Sequence, residues 1–157
     1  MTMDELEKED FIRNGRLFRH VTGDELDEVL SCAEWEAVEP GEIIFQRGER
    51  APSFFLVGEG TVVLQKEGNG SVRPSVVVGK GEAFGAVSAL SDHPRTSTAK
   101  AESDRNAVLL KIDAEGLKNR FSKRPTLAHK MMKPALKKAA EQMEIASDMI
   151  DSLLNRS

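Results

Sequence analysis

The sequence is short of the residues that build several common kinds of site. Cys32 is the one cysteine in 157 residues, so no internal disulfide can form, and no cysteine–histidine cluster has metal-ligand spacing. The chain has three histidines. None of them falls with a serine, cysteine or carboxylate in an arrangement suited to nucleophilic or acid–base chemistry, so no enzyme is expected. No run approaches the roughly 18 apolar residues a membrane span needs, and no membrane contact is expected. The start of the chain has no apolar stretch after its charges, so no signal peptide is expected either, and a reducing, cytoplasmic setting is the default. Positive charge is not in excess. The formal net charge of -4 argues against a nucleic-acid binder, which is usually basic.

What is present is ordinary for one globular domain with its own core: 31% charged and 39% apolar residues. The charge is unevenly spread. Asp4, Glu5, Glu7, Glu9 and Asp10 make the start acidic. A basic segment carries Lys118, Arg120, Lys123, Arg124, Lys130, Lys133, Lys137 and Lys138, and Glu141, Glu144, Asp148 and Asp151 follow it.

The pattern along the chain divides it into three parts. Residues 1–33 read as helices. Thr22-Gly-Asp-Glu25 has capping-box form, and Leu26, Val29, Leu30 and Ala33 follow at helical spacing. Cys32 falls in this pattern and is expected to be a small buried hydrophobe. Residues 34–112 switch to short apolar runs separated by glycine. Ile43–Phe45, Phe54–Val57, Val62–Leu64, Val76–Val78, Thr96–Ala101 and Ala107–Ile112 read as strands, with Glu67-Gly-Asn-Gly70 as a hairpin tip. Many short strands at this spacing predict an α+β fold built on a jelly-roll-like barrel, a β-roll. Residues 113–157 return to helix. Asp113 is placed to cap a short helix ending near Phe121, Pro125 breaks it, and a long helix runs from about Thr126 to Leu154 with a bend at Pro134.

The chemistry concentrates in residues 81–99. After a strand, Gly85 lets backbone amides point together, and a helical turn starting at Ala86 leaves N–H groups unpaired. Nine residues beyond Gly85, Pro94 stiffens the chain, and Arg95 can return to the same spot with a planar fork of donors. Thr96 and Ser97 add hydroxyls. On the physics alone, an anion site and a solvated surface arginine both remain open. His93 reads as an exposed loop histidine.

These residues, Gly81, Glu82, Phe84, Gly85, Pro94, Arg95, Thr96 and Thr98 in this order and spacing, resemble the phosphate-binding cassette of the cyclic-nucleotide-binding domain family. The upstream segments Pro40–Glu49, Phe54–Val57 and Gly60–Leu64 and the opening Leu17-Phe18-Arg19-His20-Val21 resemble it too, so the likeness runs from about residue 15 to about residue 150. The resemblance implies a β-roll flanked by helices that binds cyclic AMP or cyclic GMP. The phosphate would be held by Arg95 and by the backbone at Gly85, Ala86, Val87 and Ser88, with Thr96 and Ser97 beside it. The base would lie against Leu64, Val76 and Val78, and the long helix would move to cap the ligand.

The chain departs from the family pattern at Ala86, where a glutamate usually accepts a hydrogen bond from the ribose 2′-hydroxyl. A hydrogen bond to a charged group contributes about 1.5–3 kcal/mol, so its loss implies ribose binding roughly 10- to 100-fold weaker. Ala89 also replaces a bulkier leucine. Thr96 is a hydroxyl able to reach guanine's exocyclic groups, a pointer towards cyclic GMP that cyclic-AMP binders share.

In the long helix Met132, Leu136, Ala139, Met143, Ala146, Ile150 and Leu153 recur at spacings of four and three. The resemblance implies a parallel homodimer through this seam. The alternative is that the stripe packs on its own β-roll. The helix-turn-helix that follows in transcription factors of the family is not expected, and with it no direct DNA binding in that manner. Two readings of function follow. One is a cyclic-nucleotide sensor signalling through its C-terminal helix to an effector protein. The other is a domain of the same fold that has lost its ligand and serves as a dimerisation or interaction module.

Overall fold

A computed structural model describes residues 3–66, 76–102 and 104–154. The expected hairpin tip at Glu67–Gly70 lies outside these residues.

The chain opens with α1 (Glu5–Asn14), capped by Asp4, whose carboxylate accepts from the Glu7 amide at 2.8 Å. A 3-10 turn (Arg16–Phe18) leads to α2 (Gly23–Leu30). The Thr22–Glu25 capping box forms there, with Glu25 Oε1 accepting from the Thr22 amide at 3.1 Å and the Thr22 hydroxyl at 2.7 Å. The helix stops at Leu30, short of the expected residue 33. Cys32 is therefore in a turn and only half-buried, its thiol directed to the Glu28 carbonyl at 3.7 Å. The apolar spacing that suggested helix at Cys32 and Ala33 belongs instead to the start of a strand.

That strand, β1 (Ala33–Val38), is not among the strands expected from the sequence, although Glu34 and Glu36 alternate with Ala33, Trp35 and Ala37 at the strand period. It is followed by β2 (Ile43–Phe45), β3 (Ser53–Glu59), β4 (Val62–Gln65), β5 (Val76–Val78), β6 (Ala83–Phe84), α3 (Ala86–Leu90), β7 (Thr98–Ala101) and β8 (Ala107–Asp113). Two four-stranded antiparallel sheets result, in the orders β1-β8-β3-β6 and β2-β7-β4-β5. This is the expected α+β architecture.

The alternation of side chains along β3 and β8 divides the core in two. Phe54, Leu56, Leu110 and Ile112 face one way and pack with Phe18, Val29, Leu117, Leu127 and Met131 under the helices. Phe55, Val57, Ala107 and Leu109 face the other and pack with Val38, Phe45, Val62, Val78 and Phe84 inside the roll. Burial on both faces explains why Phe54-Phe55-Leu56-Val57 is a continuous apolar run.

Asp113 caps α4 (Ala114–Lys123), accepting from the Gly116 amide at 2.8 Å. Arg124 leaves helical geometry (φ -132, ψ 79), as a residue before proline does, and Pro125 starts α5 (Pro125–Leu154). The helix continues through position 134. Its first two turns are anchored by Leu127 and Met131, which are buried. Of the heptad positions, Met132, Ile150 and Leu153 are exposed, so these three do not pack on the chain's own roll. The side chains of Leu136, Ala139, Met143 and Ala146 lie outside the described set.

The capping glutamate of α2 also reaches α5. Lys130 Nζ donates to Glu25 Oε1 at 2.7 Å. This ammonium, with the two Thr22 donors, holds the Glu25 carboxyl down to about 2. A carboxylate depressed in the fold adds stability above its unfolded pKa and loses it as pH falls through the folded value. In acid titrations of thermal stability, the Glu25 contribution is therefore expected to disappear between about pH 4.5 and pH 2. Glu25→Gln should lack that step, and an identical profile for the variant would refute the assignment.

Candidate functional site

Gly85 sits between β6 and α3 with φ +78, a conformation only glycine adopts without strain. It caps α3, whose first i→i−4 bond is Ala89 N–H to Gly85 O at 3.3 Å. The amides of Ala86, Val87 and Ser88 precede that bond. Glycine is needed here for a second reason: a Cβ at Gly85 would lie 2.7 Å from Arg95 Nη1.

Arg95 is pinned through its backbone. Its N–H donates to Glu49 O at 2.9 Å, and its carbonyl accepts from Gly48 N–H at 2.8 Å. The side chain runs inward and is only 4% exposed. Nη1 donates to Gly85 O at 2.9 Å, and Nη2 donates to Ser53 O. The guanidinium lies over the Phe45 ring, with Cζ 3.9 Å from its centroid. Phe45 is packed in turn with Phe55 and Phe84, whose rings stack 5.1 Å apart. Burial pulls the Arg95 pKa below its ordinary value, and Glu49 partly opposes this. A guanidinium nevertheless keeps its charge, so the interior holds a cation resting on carbonyl oxygens and an aromatic face. Its Nε is buried and has no hydrogen-bond partner.

A cavity of about 260 Å³ opens on this group. Its walls include Arg95, Gly85, Ala86, Val87, Ser88, Thr96 and Ser97, together with Leu64, Phe45, Ala83 and Phe84. The fold thus brings the two halves of residues 81–99 to one space, although the sequence separates Gly85 from Arg95 by a helix and a turn. Ser88 Oγ donates to Pro94 O at 3.2 Å and closes the loop between them. Ser97 is buried and Thr96 is exposed.

Leu64 lines the cavity, whereas Val76 and Val78 do not. The β4–β5 register pairs Leu64 with Val76 and Val62 with Val78, so all four share one face. Val78 is buried in the roll beneath, and Val76 is exposed. No described residue of α5 lines the cavity. Phe45 was not among the residues expected at the site. Its apolar strand was legible, but the ring's contact with an arginine fifty residues later was not. His93 is exposed, with Nδ1 2.8 Å from Pro94 O.

A larger groove, about 750 Å³, runs past Arg50, His93, Asp113 and Lys118. Its charges are mixed, Lys118 being paired with Asp92 at 3.2 Å. Among the described residues, no buried unpartnered side-chain atom lines it. The smaller cavity carries the chemistry.

Known proteins share this fold. The Thermus thermophilus catabolite activator protein superposes with a TM-score of 0.71 and 25% identity, covering 86% of this chain and 62% of that one. The regulatory domain of Toxoplasma gondii PKA, solved with cAMP, shares the fold with a TM-score of 0.67 and 21% identity, covering 84% of this chain and 48% of that one. In sequence, mouse (Mus musculus) cGMP-dependent protein kinase 2 is 31% identical over 111 residues, which is 69% of this chain and 14% of the kinase. The cAMP-dependent protein kinase regulatory subunit of Debaryomyces hansenii is 27% identical over 93 residues, 59% of this chain and 20% of the subunit. The chain thus spans a small part of the length of these two relatives. The family model of the cyclic nucleotide-binding domain matches residues 35–124, the roll, the cassette and α4 together. With that match over most of its length, the chain belongs to the cyclic nucleotide-binding domain family.

Proposed function

We propose that this domain is a non-catalytic sensor that binds cyclic AMP or cyclic GMP. The observation that carries the reading is Arg95: a buried cation with no carboxylate bonded to it, its Nε–H unpartnered, on the wall of a cavity. A monoanionic cyclic phosphate supplies the charge that the interior lacks.

In this reading Arg95 and the amides of Ala86, Val87 and Ser88 grip the phosphate, with Thr96 and Ser97 beside it. The base lies along Leu64, with Val76 and Val78 on the same face. Ala86 offers no carboxylate to the sugar, so binding is weaker than is usual in the family. The signal leaves through α5, whose exposed Met132, Ile150 and Leu153 suit a homodimer seam or an effector protein inside the cell. The same exposure favours the second reading, an interaction module without a ligand.

Thermal melts of the whole chain separate the two readings. At ligand concentrations 100-fold above Kd, stabilisation by mass action is about 2.7 kcal/mol. For a chain of this size that raises Tm by roughly 5–10 °C. A Tm unmoved by millimolar cyclic AMP and cyclic GMP would refute the sensor and leave the interaction module.

A further inference from the structure

Beyond the turns that Leu127 and Met131 tie to the core, α5 exposes apolar side chains at Met132, Ile150 and Leu153. Charge along this part of the helix is segregated. Lys133, Lys137 and Lys138 come first. Glu141, Glu144, Asp148 and Asp151 follow, with no lysine or arginine among them. Lys133, Lys137 and the four carboxylates are exposed. The helix therefore carries a basic half and an acidic half that meet near residue 140.

A second copy of this helix has two ways to lie along the seam. In a parallel pair each seam position meets its own copy. Leu136, Met143 and Ile150 then form layers of two large residues, alternating with layers of two alanines at 139 and 146. The basic halves lie side by side, and so do the acidic halves. In an antiparallel pair centred on Glu141, the spacings of four and three read the same in both directions. Met132 falls level with Ile150, Leu136 with Ala146, and Ala139 with Met143. The layers built from positions 136, 139, 143 and 146 each join one large residue to one alanine, which keeps the two axes evenly spaced. The basic half of each copy lies along the acidic half of the other, and the helix dipoles oppose. Leu153 falls level with His129, which is exposed, so the end of one helix meets open surface at the base of the other.

We propose that the exposed seam of α5 binds a second copy of this chain in antiparallel orientation, about a two-fold axis at Glu141. The contact is isologous: position 132 of each copy meets position 150 of the other. Charge selects a second copy as the occupant, because one helix carries both signs in the order its own two-fold axis requires. A parallel pair uses the same seam but sets like charges together and leaves thin alanine layers between thick ones. The antiparallel pair places the anchored turns of the two copies roughly 36 Å apart along the axis, at 1.5 Å per residue, so the two rolls stand at opposite ends. The proposal does not depend on what the cavity binds.

Disulfide trapping in the whole chain tests the orientation. Cys32→Ser leaves no native thiol, and Met132→Cys or Ile150→Cys then adds one at an exposed position. The two single-cysteine chains are mixed in equal amounts while reduced, then oxidised, and the links are identified by mass spectrometry. A disulfide needs Cα atoms within about 7 Å, so 132–150 links are expected in at least about ten-fold excess over 150–150 links. A smaller excess, or a majority of 150–150 links, overturns the antiparallel arrangement. Sedimentation of the unmodified chain tests the occupant, and a dimer is expected at micromolar concentration. Ile150→Lys and Leu153→Lys change exposed residues and leave the monomer fold intact, and each should weaken the dimer at least about ten-fold. A dimer unweakened by both variants places the contact elsewhere and overturns the proposal. A chain that stays monomeric overturns it too, and gives the seam to an effector protein.

Discussion

Arg95→Ala is expected to abolish measurable cyclic-nucleotide binding and to lower the melting temperature. Two charge-assisted hydrogen bonds to a phosphate contribute on the order of 3–6 kcal/mol, so affinity should fall at least ~100-fold. The second effect follows from where the guanidinium rests in the absence of ligand. It holds the carbonyls of Gly85 and Ser53 and covers the Phe45 ring. Alanine leaves both carbonyls without these donors and opens space beside Phe45. The Gly85 carbonyl keeps its bond from the Ala89 N–H; a buried acceptor left unsatisfied costs about 1–3 kcal/mol, set against relief from burying an uncompensated cation. Arg95→Lys separates the roles, because it keeps the charge and loses the fork. Calorimetric titration of both variants alongside thermal melts reads the two effects. Full binding by Arg95→Ala would remove the phosphate site from this cavity.

Leu127→Ala should produce a large loss of stability. Leu127 is 0% exposed and lies where α5 meets the core of Phe18, Leu117 and Met131. Buried leucine-to-alanine changes cost about 2–5 kcal/mol through lost transfer energy and the cavity left behind. For a domain of this size that lowers Tm by about 10 °C. The loss should be concentrated at the start of α5, and hydrogen exchange over residues 125–132 should rise more than over β8. Uniform exchange across both segments would show that α5 is not a separable layer. Substitution of Leu153, which is 67% exposed, should leave the monomer's stability nearly unchanged.

Much of this molecule could be read from local chemistry. Asp113 caps its helix as its position before an apolar helical pattern suggested. Thr22 and Glu25 form their box. Pro125 ends one helix and starts the next, since its ring disfavours helix at Arg124. The runs at Phe54–Val57 and Ala107–Leu110 lie in the strands buried on both faces, and their continuity without a polar residue is the direct trace of that burial. Other elements have little local signal: β6 is only two residues long, too short to show a period. Cys32 followed an apolar helical spacing that ended two residues before it. Propensity could not resolve these because pairing with β8 and β3 decides them.

The candidate site divides in the same way. Gly85, Ala86, Val87, Ser88, Arg95, Thr96 and Ser97 could be singled out because turn chemistry, a helix start and a guanidinium lie within one short segment. Phe45 and the Ser53 carbonyl could not, since their contacts with Arg95 span fifty and forty-two residues and depend on how the sheets close. The contact of Glu25 with Lys130, 105 residues apart, belongs to the same class.

The order of helices and short strands, the caps that start them and the glycine turn before α3 follow from the residues alone, because each depends on neighbours within a few positions. Whether Arg95 faces water or the interior, which ring it rests on, and where α5 is fastened were decided only by the closed tertiary structure. A charge can be buried only where carbonyls and an aromatic face from separate strands converge on it, and that convergence exists only once the sheets have paired.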